Sequence, residues 1–279
     1  MEQAIIVGVD GTSAGRAAVN WAVTRAARQG LPIELVHVVD DEWGAVGERD
    51  LFELRPHAAE LVDSSFSLAT SLAASLGVVV PIHSAILIGD PMVELAQRSR
   101  TAAMVVVGTH KTGYFHGRAL GSRSLQLAAM AWAPVAVIPE SSTSLRKGII
   151  VGLDDTDAGK AAVTFGAAES ATSGEPLVFI HAKDGAPRST PTPSQWSASE
   201  VAAAAGVAQP VRTREITRPA AEALIDAALL ASVLVIGSSR RRGAELSALG
   251  PVSHDVLMNI SGPTIVVHGV MAPAASAAG

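Results

Sequence analysis

The run IIVGVDGTSAGRAAVNWA from Ile5 returns as IIVGLDDTDAGKAAVTFG from Ile149, and the same offset carries LVHV at His37 onto FIHA at His181. A second, shorter offset relates VVVG ending at Gly108 to LVIG ending at Gly237, and APVAVIP at Pro134 to GPTIVVH at Pro263. Four landmarks in the same order mark two copies of one unit, the second having lost residues between its second and fourth strands. Whatever fold one copy adopts, the other must adopt too. The length of 279 residues is nearly twice the roughly 150 residues expected of a single domain, which agrees with that count.

Each copy alternates strand and helix patterns. Ala4 to Val9 is a continuous apolar run ending at Asp10 and Gly11, as a strand buried on both faces does before a turn. Ser13 to Arg28 carries Val19, Ala22, Val23 and Ala26 at helical spacing and is closed by Gly30 and Pro32. Further strands are expected at Ile33 to Val39, Val78 to Leu87, Ala103 to Val107 and Pro134 to Ile138. Further helices are expected at His57 to Leu76, with Val62, Phe66, Ala69, Ala73 and Leu76 on its buried face, at Pro91 to Ser99 and at Ser122 to Ala131. Strands separated by helices predict a parallel sheet with helices on both faces, so the fold class is α/β, two tandem Rossmann-like domains. Residues 1–140 are read as the first domain, 141–147 as a linker, 148–270 as the second domain and 271–279 as a flexible tail. The stretch KDGAPRSTPTPSQWSAS, rich in Pro, Ser and Thr, reads as unstructured chain.

Composition excludes several classes of protein. There is no cysteine, which removes disulfides and thiolate metal sites. Apolar runs such as Ala102 to Val107 fall far short of the roughly 18 residues needed to cross a bilayer. The opening MEQAIIVGVD enters a strand pattern at once, without the cationic region and long apolar core of a secretory signal; with no cysteine, the compartment expected is the cytoplasm. A net charge of −5 argues against nucleic acid and anionic membrane as partners.

The loop VVVGTHKTGYFHGRALGSRS stands out against that acidic background. No acid occurs between Glu94 and Glu140, while Arg98, Arg100, Lys111, Arg118 and Arg123 all do. Ligands of open parallel sheets bind beyond the carboxyl ends of the strands, where Asp10, Val38 and Gly108 are expected. The free N–H groups of Gly121, Ser122 and Arg123, at the start of a helix, favour an anion there. The plainer readings are a turn glycine at Gly108, a solvated cationic face, helix capping by Asp10, Thr12 or Ser13, and satisfied rim histidines at His37 and His181.

The spacing from Gly108 through Lys111 to Gly121 and Ser122 resembles the G-x2-G-x9-G-[S/T] nucleotide motif of the universal stress proteins, with Asp10 and the HV pair at His37 and Val38 in matching places. The resemblance covers nearly the whole chain twice, as in the tandem form of that family. It implies two five-stranded parallel sheets and an adenine nucleotide, usually ATP, with or without Mg. It places Asp10 and Gly108 by the ribose, the backbone at Val38 by the adenine, and Gly121, Ser122 and Arg123 at the phosphates, with Val9, Gly11, His110 and Lys111 also among the nucleotide-binding residues. In the second copy the corresponding positions are Asp154, Gly237, Arg240 and Gly250. The motif's middle glycine is Lys111 in the first copy and Arg240 in the second, and Pro251, which has no N–H, replaces the final serine. The first half is therefore expected to hold the nucleotide. The resemblance also implies a homodimer, with the last strands of the two halves pairing as a pseudo-dimer.

No P-loop, H-E-x-x-H or G-x-S-x-G signature occurs, so at most slow ATP hydrolysis or autophosphorylation near Thr109, Ser122 and Ser124 is expected. Three readings stay open on sequence: a nucleotide-binding stress regulator, a partner-binding scaffold in which Lys111, Arg240 and Pro251 have abolished nucleotide binding, and an adenylate-forming enzyme.

Overall fold

The computed structural model describes residues 3–40, 48–110, 122–140, 146–183, 194–239 and 249–269; of residues 48–55, 122 and 194–197 it describes the backbone alone. In the first half, strands β1 (Ile5–Gly8), β2 (Ile33–Val39), β3 (Ile82–Ile88), β4 (Met104–Thr109) and β5 (Val135–Pro139) alternate with helices α1 (Ser13–Gln29), α2 (Glu48–Ser75), α3 (Pro91–Arg98) and α4 (Ser122–Met130). The second half repeats the sequence of elements with β6 (Ile149–Gly152), α5 (Asp157–Ser173), β7 (Leu177–Ala182), α6 (Ser194–Ala204), β8 (Val211–Ile216), α7 (Ala220–Ala228), β9 (Val233–Ser238), α8 (Pro251–Met258) and β10 (Thr264–His268).

The strands form one sheet in the order β3-β2-β1-β4-β5-β10-β9-β6-β7-β8, so each half reads 3-2-1-4-5 outward-in and the halves meet edge to edge. Within each half the pairing is parallel. The join of β5 to β10 is antiparallel, with Ala136 opposite Ile265, Val137 opposite Thr264 and Val135 opposite Val266. Two five-stranded parallel sheets thus become one ten-stranded sheet, and the expected pairing of the last strands is present. Helices α1, α2, α5 and α6 cover one face over a core that includes Ile5, Val7, Leu35, Val106, Phe179 and Val235. Helices α3, α4, α7 and α8 cover the other over Val36, Val105, Val107, Leu234 and Val266. With apolar side chains needed on both faces, β4 and β5 are valine-rich throughout, as buried parallel strands must be.

Local chemistry explains how α1 is placed. Thr12 caps it, its Oγ1 accepting from the Gly15 N–H at 3.0 Å. Ala14, Ala18, Val19, Ala22, Val23 and Ala26 bury its sheet-facing stripe, and Gly30 ends it in the left-handed region at φ 67°. Thr156 and Gly174 do the same for α5. Small residues let these helices lie close to the sheet. A Cβ on Gly108 would overlap the Ala14 carbonyl, and one on Gly237 would overlap that of Ala158.

Several expectations need correction. The end of the stretch read as unstructured, from Ser194, belongs to α6, where Ala198 and, one turn on and past that stretch, Ala202 are fully buried against the first core; the alanine run that follows the stretch favours the helix. Residues 184–193 lie outside the described residues. On α2 the buried stripe runs through Ala58, Val62, Ser65, Ala69 and Ala73, which leaves Phe66 at its margin, 39% exposed, and Leu76 beyond the helix end at 45%. The helix also begins earlier than expected, at Glu48, and runs through Pro56. Strand β3 starts at Ile82 rather than Val78, because the Val78 N–H is spent on the Ala73 carbonyl closing α2. Of the expected linker, Arg146 and Lys147 are tied to the second half: the Arg146 guanidinium donates to the carbonyls of Ala228 and Ser261, and the Lys147 N–H to that of Leu230. Residues 141–145 and the tail from 270 onward lie outside the described residues.

Candidate functional site

The strand order reverses between β1 and β4, because β1 connects outward through α1 on one face while β3 returns through α3 on the other. At the carboxyl ends of these strands lies a cleft of about 410 Å³. Val9 and Asp10 after β1, Val38, Val39 and Asp40 on and after β2, Gly108 on β4, Met92 on α3 and Arg123 and Ser124 on α4 line it. Its volume lies within the range of roughly 300–1,000 Å³ typical of small-molecule sites.

Asp10 serves the turn that enters α1. Its Oδ1 accepts from the Thr12 N–H at 3.0 Å and the Thr12 hydroxyl at 2.7 Å, while Thr12 caps the helix. Helix capping therefore belongs to Thr12, and Asp10 holds the cap in place. Gly11 sits in this turn at φ 74°, where a side chain would be strained. Asp154 and Thr156 reproduce both bonds at the same lengths in the second half. Val9 is buried, and its carbonyl meets the His37 ring nitrogen Nδ1 at 2.8 Å, so His37 is a satisfied rim histidine bridging two strand ends.

The cationic segment resolves into separate environments. Arg98 pairs with Glu34 and Arg100 lies 4.7 Å from the Trp132 ring centre, both toward the amino ends of the strands and away from the cleft. Among the described residues of that segment, Arg123 is the cation lining the cleft. Its Nη2 lies 2.7 Å from Asp40 Oδ2, an ion pair joining the start of α4 to the end of β2. His110 stands outside the cleft lining and meets Glu140 at 3.3 Å. Hydrogen bonds from Ser13 first, and then from His110, hold the Glu140 carboxyl below its ordinary range. Acids distant in sequence thus neutralise part of a stretch that contains none.

Asp10, Val9, Val38, Gly108 and Arg123 are brought together at the cleft, with Gly11 in the adjoining turn. Lys111, Gly121 and Arg240 lie outside the described residues, as does the side chain of Ser122, whose backbone opens α4. Asp40 and Met92 are cleft residues the sequence reading missed, while Ser124, expected near the phosphates, lines the cleft. Asp40 follows the HVV of β2 directly and is the first acid past a strand end, the one signal that pointed to it. In the second half, Gly250 precedes α8 with Pro251 at its first position; the Gly250 N–H donates to Ser238 Oγ at 3.3 Å, and Ser253 Oγ to the Gly237 carbonyl at 3.0 Å. One helix-opening amide is thus engaged by the protein, and the next is missing altogether. Among the described residues no cluster of three or more acids and histidines is placed to hold a metal ion, and no helix is long and apolar enough to cross a membrane.

A doubly wound sheet, duplicated and joined edge to edge, with a cleft at the switch point of its first half, defines a tandem α/β protein. The sequence profile of the universal stress protein family matches residues 1–139 and again 146–268. The chain belongs to the universal stress protein family, in its tandem form. Universal stress protein Rv1996 of Mycobacterium tuberculosis is 30% identical over 310 residues, an alignment covering 98% of this chain and 97% of that one. Universal stress protein Rv2623 of the same organism is 28% identical over 284 residues, covering 94% and 95%. A universal stress protein from Archaeoglobus fulgidus superposes over 96% of this chain and 98% of its own with a TM-score of 0.78 at 18% identity, which bears on the fold.

Proposed function

We propose that this universal stress protein is a regulator that binds an adenine nucleotide, ATP in the first instance, in the cleft of its first half. The observation that carries the reading is the cleft itself, where Asp10, the β2 end at Val38, Gly108 and the Arg123 guanidinium converge at the switch point. The residues present fit such a ligand. Valines, Met92 and Leu95 offer apolar walls for a base, Asp10 an acceptor for ribose hydroxyls, and the opening turn of α4 with Arg123 a seat for phosphate oxygens. Gly121 and Lys111 complete that seat in the proposal. The second half has Pro251 and a Gly250 amide already engaged, which supports a single site per chain. The regulatory output is a change in assembly or partner contact when the nucleotide binds, and no rapid turnover is assigned.

Asp40 competes with phosphate for Arg123, so the two side chains should act in opposite directions. A charge-assisted hydrogen bond contributes about 1.5–3 kcal/mol, and Arg123→Ala is expected to weaken ATP about 10- to 100-fold while leaving adenosine nearly unaffected. Asp40→Asn frees Arg123 and removes a like charge, which tightens ATP. Titration calorimetry reads both. An Arg123→Ala protein binding ATP as tightly as the parent would remove the α4 seat from the site.

A further inference from the structure

The join between the halves has a near-twofold character that a residue-by-residue comparison exposes. The offset that relates Pro134 to Pro263 makes Ala136 and Ile265 equivalent, and these two residues face each other at the centre of the β5–β10 ladder. The same offset makes Val135 equivalent to Thr264 and Val137 to Val266, and the register pairs them crosswise. A near-twofold axis therefore passes between Ala136 and Ile265: the position on the axis meets its own counterpart, and the positions flanking it pair reciprocally.

On the face covered by α1 and α5, Trp21 is equivalent to Phe165 and Arg25 to Glu169. Arg25 and Glu169 form an ion pair across the axis, each with side chains only 9% exposed. The guanidinium carbon lies 5.2 Å from the Trp21 ring centre and 5.4 Å from that of Phe165, sandwiched between the equivalent aromatics. Burial, with Arg28 adding like charge, lowers the Arg25 pKa to about 9. If two first halves met in this way, Arg25 would face Arg25; if two second halves met, Glu169 would face Glu169. Either would bury two like charges uncompensated, which proteins avoid at a large cost. The strand edges do not discriminate, since Val135, Ala136 and Val137 on one side and Thr264, Ile265 and Val266 on the other are all small or β-branched and buried.

We infer that Arg25 and Glu169, at one duplicated position that faces itself, set partner choice at the half-to-half interface: a first half accepts a second half of this sequence, in the same chain or exchanged with another copy, and rejects its like. The backbone ladder supplies adhesion and the charge pair supplies selectivity, the division of labour expected where specificity rests on repulsion in the wrong complexes. This inference is independent of nucleotide binding.

The test uses the full chain with charges reversed. Arg25→Glu and Glu169→Arg each set like charges against one another and are expected to lower Tm by about 5–15 °C. The double reversal, Arg25→Glu with Glu169→Arg, restores an ion pair in the opposite sense and is expected to recover more than half of that loss. Partner choice is read by coexpressing a tagged Arg25→Glu chain with an untagged Glu169→Arg chain. Complementary charges then exist only between chains, so the untagged protein copurifies as an exchanged dimer, whereas neither variant captures a second copy of itself. If the single variants do not fold alone, their rescue by coexpression remains the readout. Single variants as stable as the parent, a double reversal no better than the singles, or no capture on coexpression would each overturn the inference.

Discussion

Gly108→Ala is the sharpest structural perturbation the fold offers, because its control is built into the chain. The added Cβ would overlap the Ala14 carbonyl oxygen and carbon and lie 2.7 Å from the Gly15 nitrogen. All three are backbone atoms at the start of α1, so no side chain can rotate away, and the helix must move off β4. Overpacking of this kind costs typically about 1–3 kcal/mol, and a chain of this size loses roughly 2–4 °C of Tm per kcal/mol. A fall of about 2–10 °C by differential scanning calorimetry is expected. Gly237→Ala meets the equivalent backbone of Ala158 and Gly159 and should cost about the same. The two differ at the cleft: displacing α1 from Gly108 also shifts Asp10, so Gly108→Ala should weaken ATP binding while Gly237→Ala leaves it unchanged. Parent-like stability in both variants would refute the close-approach argument, and equal effects on ATP would refute the assignment of the cleft to the first half.

Two further predictions concern the helix starts and the strand-end acid. Thr12→Ala and Thr156→Ala each remove a cap that accepts from a glycine N–H at 3.0 Å; each should cost about 1 kcal/mol by denaturant unfolding, and the two should add because the caps share no hydrogen-bond partner. Glu140 has its carboxyl held below the ordinary value of 4.5 by Ser13 and His110, so its contribution to stability is present above that value and is lost as pH falls through its lowered folded value. The Tm gap between the parent and Glu140→Gln should therefore exist at neutral pH and close under acid conditions; a gap that stays constant down to pH 3 would contradict it.

The repeat made the architecture legible. Once IIVG from Ile5 and IIVG from Ile149 are matched, buried-strand runs and Gly-closed helices give the strand and helix order of both halves with small errors at the ends. The errors have physical causes. Phe66 fits a helical stripe on paper, yet the stripe's centre is set by what α1 and the sheet present, and that placed Ser65 inside. The unstructured reading of the Pro-rich stretch ignored the burial available to Ala198 and Ala202. For the cleft, residues at strand ends were readable because a parallel sheet fixes where those ends lie. Local charge told only part of the story: the partners of this cationic segment lie outside it, since Arg98 finds Glu34, Arg123 finds Asp40 and His110 finds Glu140, each brought there by the fold. The Arg25–Glu169 pair was invisible from either copy alone, since it exists only where the two meet.

The most direct test of the central claim is the stoichiometry of ATP binding to the full chain by titration calorimetry. One ATP per chain is predicted, seated in the first-half cleft and weakened by Arg123→Ala. Two equivalent sites, or no heat of binding at millimolar ATP, would contradict it.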